Sequence, residues 1–168
     1  MMFRAVKSFP QQLNKAVIIV IHRKKNYSSD IEKLFAENSR ISMREINDKD
    51  CIEHNRVYIA PPNYHTLIED DECFGLDVSE PVWYSRPSID VTFESAAAVY
   101  GKRCTAILFS GANQDGAGGL LQLRESGALT IVQHPEDAEM DEMPNSAIHI
   151  NAAEFILHDN DIFELLQS

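Results

Sequence analysis

Residues 104–133 read CTAILFSGANQDGAGGLLQLRESGALTIVQ, and this stretch decides the fold class. It opens on an apolar run, 104–109, of the kind that fills a strand buried on both faces. A loop follows over 110–119, with glycine at 111, 116, 118 and 119, so the backbone can turn tightly there. Leu120, Leu121 and Leu123 then predict a helix that Gly127 stops. Residues 129–133 predict the next strand. Strand, helix and strand in that order make a βαβ unit with parallel neighbours.

The same grammar extends outward. Residues 16–21 read AVIIVI, a second run with no polar face. Phe3, Val6 and Phe9 predict a helix over 2–13, disturbed near Pro10. Ser29 and Glu32 form a capping box for a helix over 29–38, with Ile31, Leu34 and Phe35 on one face. Short strands are expected at 41–46 and 56–60. Residues 65–78 read as a small β-excursion, two apolar patches around the acidic turn 69–72. Ser88 predicts the N-cap of a helix to about Tyr100. A short helix near Ala147, a strand at 155–157 and a helix around 162–166 close the pattern. We expect an α/β fold: a doubly wound, mostly parallel sheet with helices on both faces. No repeat or linker divides the chain, so 1–168 is expected to be a single domain.

Bulk properties narrow the function classes. A 168-residue chain can bury one full core. The net charge of −11 disfavours nucleic acid and anionic membrane surfaces, which need clustered Lys and Arg. No apolar run reaches the roughly 18 residues of a membrane span, and the N-terminus lacks a signal-peptide pattern. Cys51, Cys73 and Cys104 are dispersed, which predicts ordinary thiols in a reducing, cytoplasmic compartment. The six histidines have no ligand spacing, so no metal site is expected.

In a doubly wound sheet, sites form at the carboxyl ends of strands. Three places qualify: His22 after AVIIVI, the loop 110–119, and Gln133-His134. A histidine at a strand end can serve as a general base, or merely cap the strand. Asp115 reads three ways. It is an N-cap of its own helix, part of a phosphate cradle, or the acid that orients a histidine. The cradle lacks the P-loop lysine and the GxGxxG spacing.

The stretch SGANQDGAGGLLQLRESGALTIVQHPEDA at 110–138, followed by Met143-Pro144-Asn145-Ser146-Ala147, resembles the catalytic domain of chemotaxis protein-glutamate methylesterases, the CheB type. The strand ending at His22, then 57–65 (VYIAPPNYH) and 86–91 (RPSIDV), match in the same order. The resemblance implies a serine hydrolase with a Ser, His, Asp triad. It places the histidine on His22 and the aspartate on Asp115. His65 and Arg86 fall on family positions near the substrate cleft, where Arg86 would pair a carboxylate or hold a surface salt bridge. The family methionine that assists the oxyanion hole corresponds to Ala112, a departure. The family's opening strand and Gly-x-Ser-x-Gly-Gly turn have no counterpart. Met1-Met2-Phe3-Arg4-Ala5-Val6 matches the helix just after that turn. The domain is therefore expected to be N-terminally shortened, with no receiver domain. Ser8, Ser88 and Ser110 sit in no nucleophile elbow and are expected to be helix, cap and turn serines. Trp83 and Tyr84 read either as a contact surface or as core packing, and core packing is the expectation. The implied partners are the methylated cytoplasmic helices of chemoreceptors, with no membrane insertion. The alternative is a non-catalytic receptor- or regulator-binding module on the same fold. The sequence carries no signal for an oligomeric state.

Overall fold

The computed structural model describes residues 2–22, 35, 37 and 41–167. The expected helix over 29–38 lies outside the described residues, apart from buried Phe35 and exposed Glu37. The elements, numbered among the described residues, alternate as expected. They are α1 (Met2–Ser8), β1 (Ala16–Ile19), β2 (Met43–Glu45), β3 (Arg56–Ile59), β4 (His65–Ile68) and β5 (Phe74–Asp77). Then come α2 (Ile89–Val99), β6 (Thr105–Leu108), α3 (Ala117–Glu125), β7 (Leu129–Gln133), α4 (Glu142–His149), β8 (Phe155–Leu157) and α5 (Asp159–Gln167).

All strand pairs except the β4–β5 hairpin are parallel. One sheet runs β1-β3-β2 and another β6-β7-β8. Period-two alternation along β3 splits the core between two faces. Val57 and Ile59 join Val6, Phe9, Leu13 and Ile19 on the α1 side. Tyr58 joins Phe74, Leu108, Leu120, Leu123 and Val132 on the side of α2, α3 and α4. Helix α1 packs on α5. Helices on both faces of parallel strands make the architecture doubly wound.

Three differences from the sequence reading have physical causes. Helix α1 stops at Ser8, where the proline at 10 breaks the pattern early. Helix α3 begins at Ala117 and so takes Gly118 and Gly119 into its first turn, shortening the predicted loop. The runs 16–21 and 104–109 were expected to be buried on both faces, yet β1 and β6 are only half-buried. Ala16, Val17, Ile18 and Ile107 are half-buried and Thr105 is exposed. Among the described residues β1 pairs only with β3 and β6 only with β7. Each is therefore an edge strand whose side chains are those of a central one.

The cysteine expectation is corrected. Cys51 and Cys73 face each other across an antiparallel bridge, with Cα atoms 3.9 Å apart, and are joined as a disulfide. Backbone bonds bring them there. Lys49 N–H donates to Phe74 O, Phe74 N–H to Asp50 O, and Ile52 N–H to Glu72 O. Tyr58 adds a side-chain tie, its hydroxyl accepting from Glu53 N–H and donating to Cys51 O. Cys104 is free, and burial pushes its thiol up to about 11. Protein purified without reductant and then denatured should show one reactive thiol, rising to three after reduction. Three at the outset would mean that the pair is open.

Candidate active site

The carboxyl ends of β1 and β6 carry the two residues singled out by position. His22 lies three residues past β1 and Asp115 lies in the loop between β6 and α3. The structure brings them together: His22 Nε2 is 2.6 Å from Asp115 Oδ2. The imidazole is about a quarter exposed, whereas the carboxylate is fully buried. The other ring nitrogen, Nδ1, has no partner among the described residues.

A buried carboxylate costs several kcal/mol unless hydrogen bonds replace its water. Here they do. Asp115 Oδ1 accepts from the Ser88 hydroxyl at 2.7 Å and from Asp90 N–H at 3.0 Å. Oδ2 accepts from Ile89 N–H at 2.7 Å in addition to His22. Burial alone would raise the Asp115 pKa. The contact with His22 and the donors from Asp90, Ile89 and Ser88 outweigh it and hold the pKa below the ordinary carboxylate value. Asp115 is thus an ionised acid presenting one oxygen to a histidine, the arrangement that fixes ring orientation and stabilises an imidazolium.

The sequence placed Asp115 beside the N-terminus of its own helix. In the structure its carboxylate instead sits on the N-terminus of α2, whose free amides and positive dipole end receive it. Ser88 caps that helix, accepting from Val91 N–H. Two glycines make the approach possible. Gly116 has φ +91°, and a Cβ there would lie 2.7 Å from both Ile89 Cγ2 and Leu108 Cδ1. A Cβ on Gly119 would lie 2.8 Å from Asp90 O. Gly119 N–H also donates to Asp90 Oδ1, and Trp83 Nε1–H to Asp90 Oδ2. Desolvation raises the pKa of buried Asp90, opposite to Asp115.

The remaining residues named from the sequence fall in different places. His65 is fully buried, with Nδ1 accepting from Ser88 N–H and Nε2 donating to Glu80 O, so neither nitrogen is open to a ligand. Arg86 donates through one terminal nitrogen to the carbonyls of Val78 and Ser79 and so fastens the end of the hairpin. Ala112 is exposed in the loop before Asp115. Ser110 holds neighbouring segments, its hydroxyl accepting from Met140 N–H and its own N–H donating to Gln133 Oε1. His134 stacks on His158 with centroids 4.2 Å apart. A cavity of about 290 Å³ opens by the ends of β6 and β7, lined by Arg4, Ser110, Gln133, Asp137, Glu139 and Asp159.

Trp83 and Tyr84 correct the core-packing expectation: Tyr84 is fully exposed and Trp83 half-exposed. They sit at φ +49° and +60°, the two central positions of a tight turn closed by Val82 and Ser85. Left-handed backbone costs about 1 kcal/mol or more per non-glycine residue. The turn is tied to the site, since Asn113 Nδ2–H donates to Trp83 O. The role of Ser88 as donor to Asp115 was missed in the sequence. Ser88 was legible as a cap, but nothing in the linear order shows whose carboxylate a cap meets.

The chain is similar to known proteins in sequence and in fold. A family model described as CheB methylesterase matches residues 2–166. A Leptospira interrogans protein, provisionally named protein-glutamate methylesterase/protein-glutamine glutaminase, is 39% identical over 158 residues, covering 94% of this chain and 82% of that protein. A Symbiobacterium thermophilum protein-glutamate methylesterase/protein-glutamine glutaminase is 32% identical over 152 residues, 90% of this chain. The chain spans only 42% of that longer relative. The crystal structure of the Thermotoga maritima CheB methylesterase catalytic domain shares the fold, with a TM-score of 0.90 at 23% identity over 98% of this chain and 90% of that one. A family model matched nearly end to end, and a relative 39% identical across most of both chains, mean that this chain belongs to the CheB methylesterase family.

Proposed function

We propose that the protein is a serine-hydrolase-type protein-glutamate methylesterase. Its substrate is γ-methyl glutamate on the cytoplasmic helices of chemoreceptors, with glutamine at the same positions deamidated by the same chemistry, and it works in the cytoplasm. The observation that carries this reading is the 2.6 Å contact between His22 and a buried, ionised Asp115. A module that only binds would not need this pair, so the contact favours the esterase over the binding module.

The nucleophilic serine comes from a strand lying between the open edges of β1 and β6, ending in a Gly-x-Ser-x-Gly-Gly turn. Support comes from the half-buried apolar side chains on those two edges and from the cavity beside Arg4 and Ser110. His22 Nδ1 faces the serine and takes its proton as Oγ attacks the ester carbonyl. The tetrahedral oxyanion collapses and expels methanol, which receives that proton. Water, deprotonated by His22, then adds to the acyl-enzyme carbonyl and releases glutamate and the serine. With glutamine the leaving group is ammonia. Neither a metal nor an organic cofactor enters a step. The exposed Trp83–Tyr84 turn forms the lip on which the receptor helix rests.

Methanol release from methylated receptor fragments tests the reading. Residues 1–168 joined to a strand and Gly-x-Ser-x-Gly-Gly turn should release methanol, and His22→Ala in that form should reduce the rate by about 10³-fold or more. Residues 1–168 alone should be inert. No release by either form would reject the esterase. Release by residues 1–168 alone would move the nucleophile inside the chain.

A further inference from the structure

The donors around Asp115 form a chain that runs deeper than the histidine and aspartate. Asp115 Oδ1 is held by the Ser88 hydroxyl at 2.7 Å, and Ser88 is fully buried. The Ser88 amide donates in turn to His65 Nδ1 at 3.2 Å, and His65 Nε2 meets Glu80 O at 3.0 Å. Nδ1 must accept from an amide and Nε2 must donate to a carbonyl. His65 is thereby fixed as the neutral ring with its proton on Nε2. Glu80 sits in the segment that Arg86 fastens through Val78 O and Ser79 O. A path of named hydrogen bonds thus runs from the end of the β4–β5 hairpin through His65 and Ser88 to Asp115 and His22.

We propose that Ser88 is a positioning residue of the site, anchored by His65, whose hydroxyl keeps Asp115 turned toward His22. The Asp90 and Ile89 amides belong to the helix backbone and donate whatever side chain stands at 88. The hydroxyl differs. Among the described residues it is the one side-chain donor on Oδ1, opposite the oxygen that meets His22, and it resists rotation of the carboxylate about its Cβ–Cγ bond. Val91 N–H, donating at 3.4 Å, occupies a hydroxyl lone pair and leaves the hydroxyl proton for Asp115. The inference rests on the His22–Asp115 contact and is read without turnover, so it stands or falls apart from the esterase reading.

The test must separate this role from ordinary helix capping. Glycine is a good N-cap and costs the helix little there, whereas alanine is a poor one. Carbon NMR of the Asp115 side-chain carboxyl, followed against pH in residues 1–168, is the readout. Among the described residues, His22 from the end of β1, with Asp90 and Glu94 from α2, are the titratable groups that act on Asp115. The Asp90 carboxyl is followed in the same spectra as an internal control. Loss of the hydroxyl removes one donor to the ionised form, so Ser88→Gly and Ser88→Ala should each raise the Asp115 midpoint by about one pH unit. Ser88→Thr should restore it. His65→Gln, which can accept and donate at similar positions, should stay near the native midpoint, while His65→Leu should follow the alanine variant. A Ser88→Gly protein that folds with an unmoved Asp115 midpoint would overturn the proposal and leave Ser88 as a cap alone.

Discussion

In the nucleophile-bearing form, Asp115→Asn is expected to lower kcat for methanol release about 10⁴-fold at neutral pH, the scale seen when a triad aspartate elsewhere becomes asparagine. The geometry states why so conservative a change is so costly. Four donors converge on the carboxylate: Ser88 and Asp90 N–H on one oxygen, Ile89 N–H and His22 on the other. Asparagine offers one oxygen and one NH₂. If the NH₂ faces His22, the ring must give up its proton there and take the wrong tautomer, while the Ile89 amide is orphaned. If it faces Ser88, the hydroxyl can turn to accept, but the Asp90 amide is orphaned. Either way a buried amide loses its partner, so stability should fall by about 1–3 kcal/mol as well. Chemical denaturation against pH checks the second part. The folded pKa of Asp115 lies below the ordinary value of 3.8. Its contribution is therefore present above about 4 and is lost as pH falls through the lower, folded value. The raised pKa of Asp90 acts in the opposite sense, destabilising the fold above its folded value and relieving it as pH falls. Asp115→Asn should remove the Asp115 part of the acid-side loss of stability, leaving the Asp90 component and the smaller contributions of the lowered, exposed Asp77 and Asp137. An unchanged kcat would mean that Asp115 does not orient the base.

Much of the fold was legible because parallel strands are buried on both faces and so spell themselves as unbroken apolar runs. AVIIVI and CTAILF announce strands without reference to any neighbour. Their places as edges in the described structure were not legible, because side chains record the burial a strand is built for and not which neighbour supplies it. His22 and Asp115 were found by the rule that sites sit at carboxyl ends of strands, together with the family resemblance. His65 was expected near the substrate cleft and is instead fully buried, holding Ser88 and Glu80, while Arg86, read as a carboxylate partner or a surface salt bridge, is half-buried and fastens the hairpin end through one terminal nitrogen. Both readings use the same polar groups, and only the depth of burial separates them. The Cys51–Cys73 pairing was equally hidden, since it depends on an antiparallel bridge between a loop and the turn of a hairpin 22 residues away. Trp83 and Tyr84 show the converse. Their size argued for the core, and the positive φ that holds them outward leaves no mark on a sequence without glycine or asparagine at those positions.

Gly116→Ala should be strongly destabilising. Two independent costs fall on it. Alanine at φ +91° carries backbone strain of about 1–3 kcal/mol. Its Cβ would also stand 2.7 Å from Ile89 Cγ2 and from Leu108 Cδ1, closer than carbon atoms tolerate. Overpacking of that kind costs about 1–3 kcal/mol more. The sum, roughly 2–6 kcal/mol, would lower Tm by about 5–20 °C in a domain of this size. Gly127→Ala separates the two terms. Gly127 has φ +86°, but the nearest atom to an added Cβ is Lys102 Cβ at 3.5 Å, an ordinary contact. That variant should show the strain alone, about half the loss. The difference between the two melting curves then measures how tightly the loop before α3 is pressed against α2. That pressure also keeps Asp115 on the amides of Ile89 and Asp90, since Gly116 follows Asp115 directly and Ile89 is both the obstructing side chain and a donating amide. Gly116→Ala should therefore raise the Asp115 midpoint in the NMR titration, and Gly127→Ala should leave it in place. Equal losses of Tm in the two variants would mean that the loop yields without strain and that the close approach at Gly116 is not what seats the carboxylate.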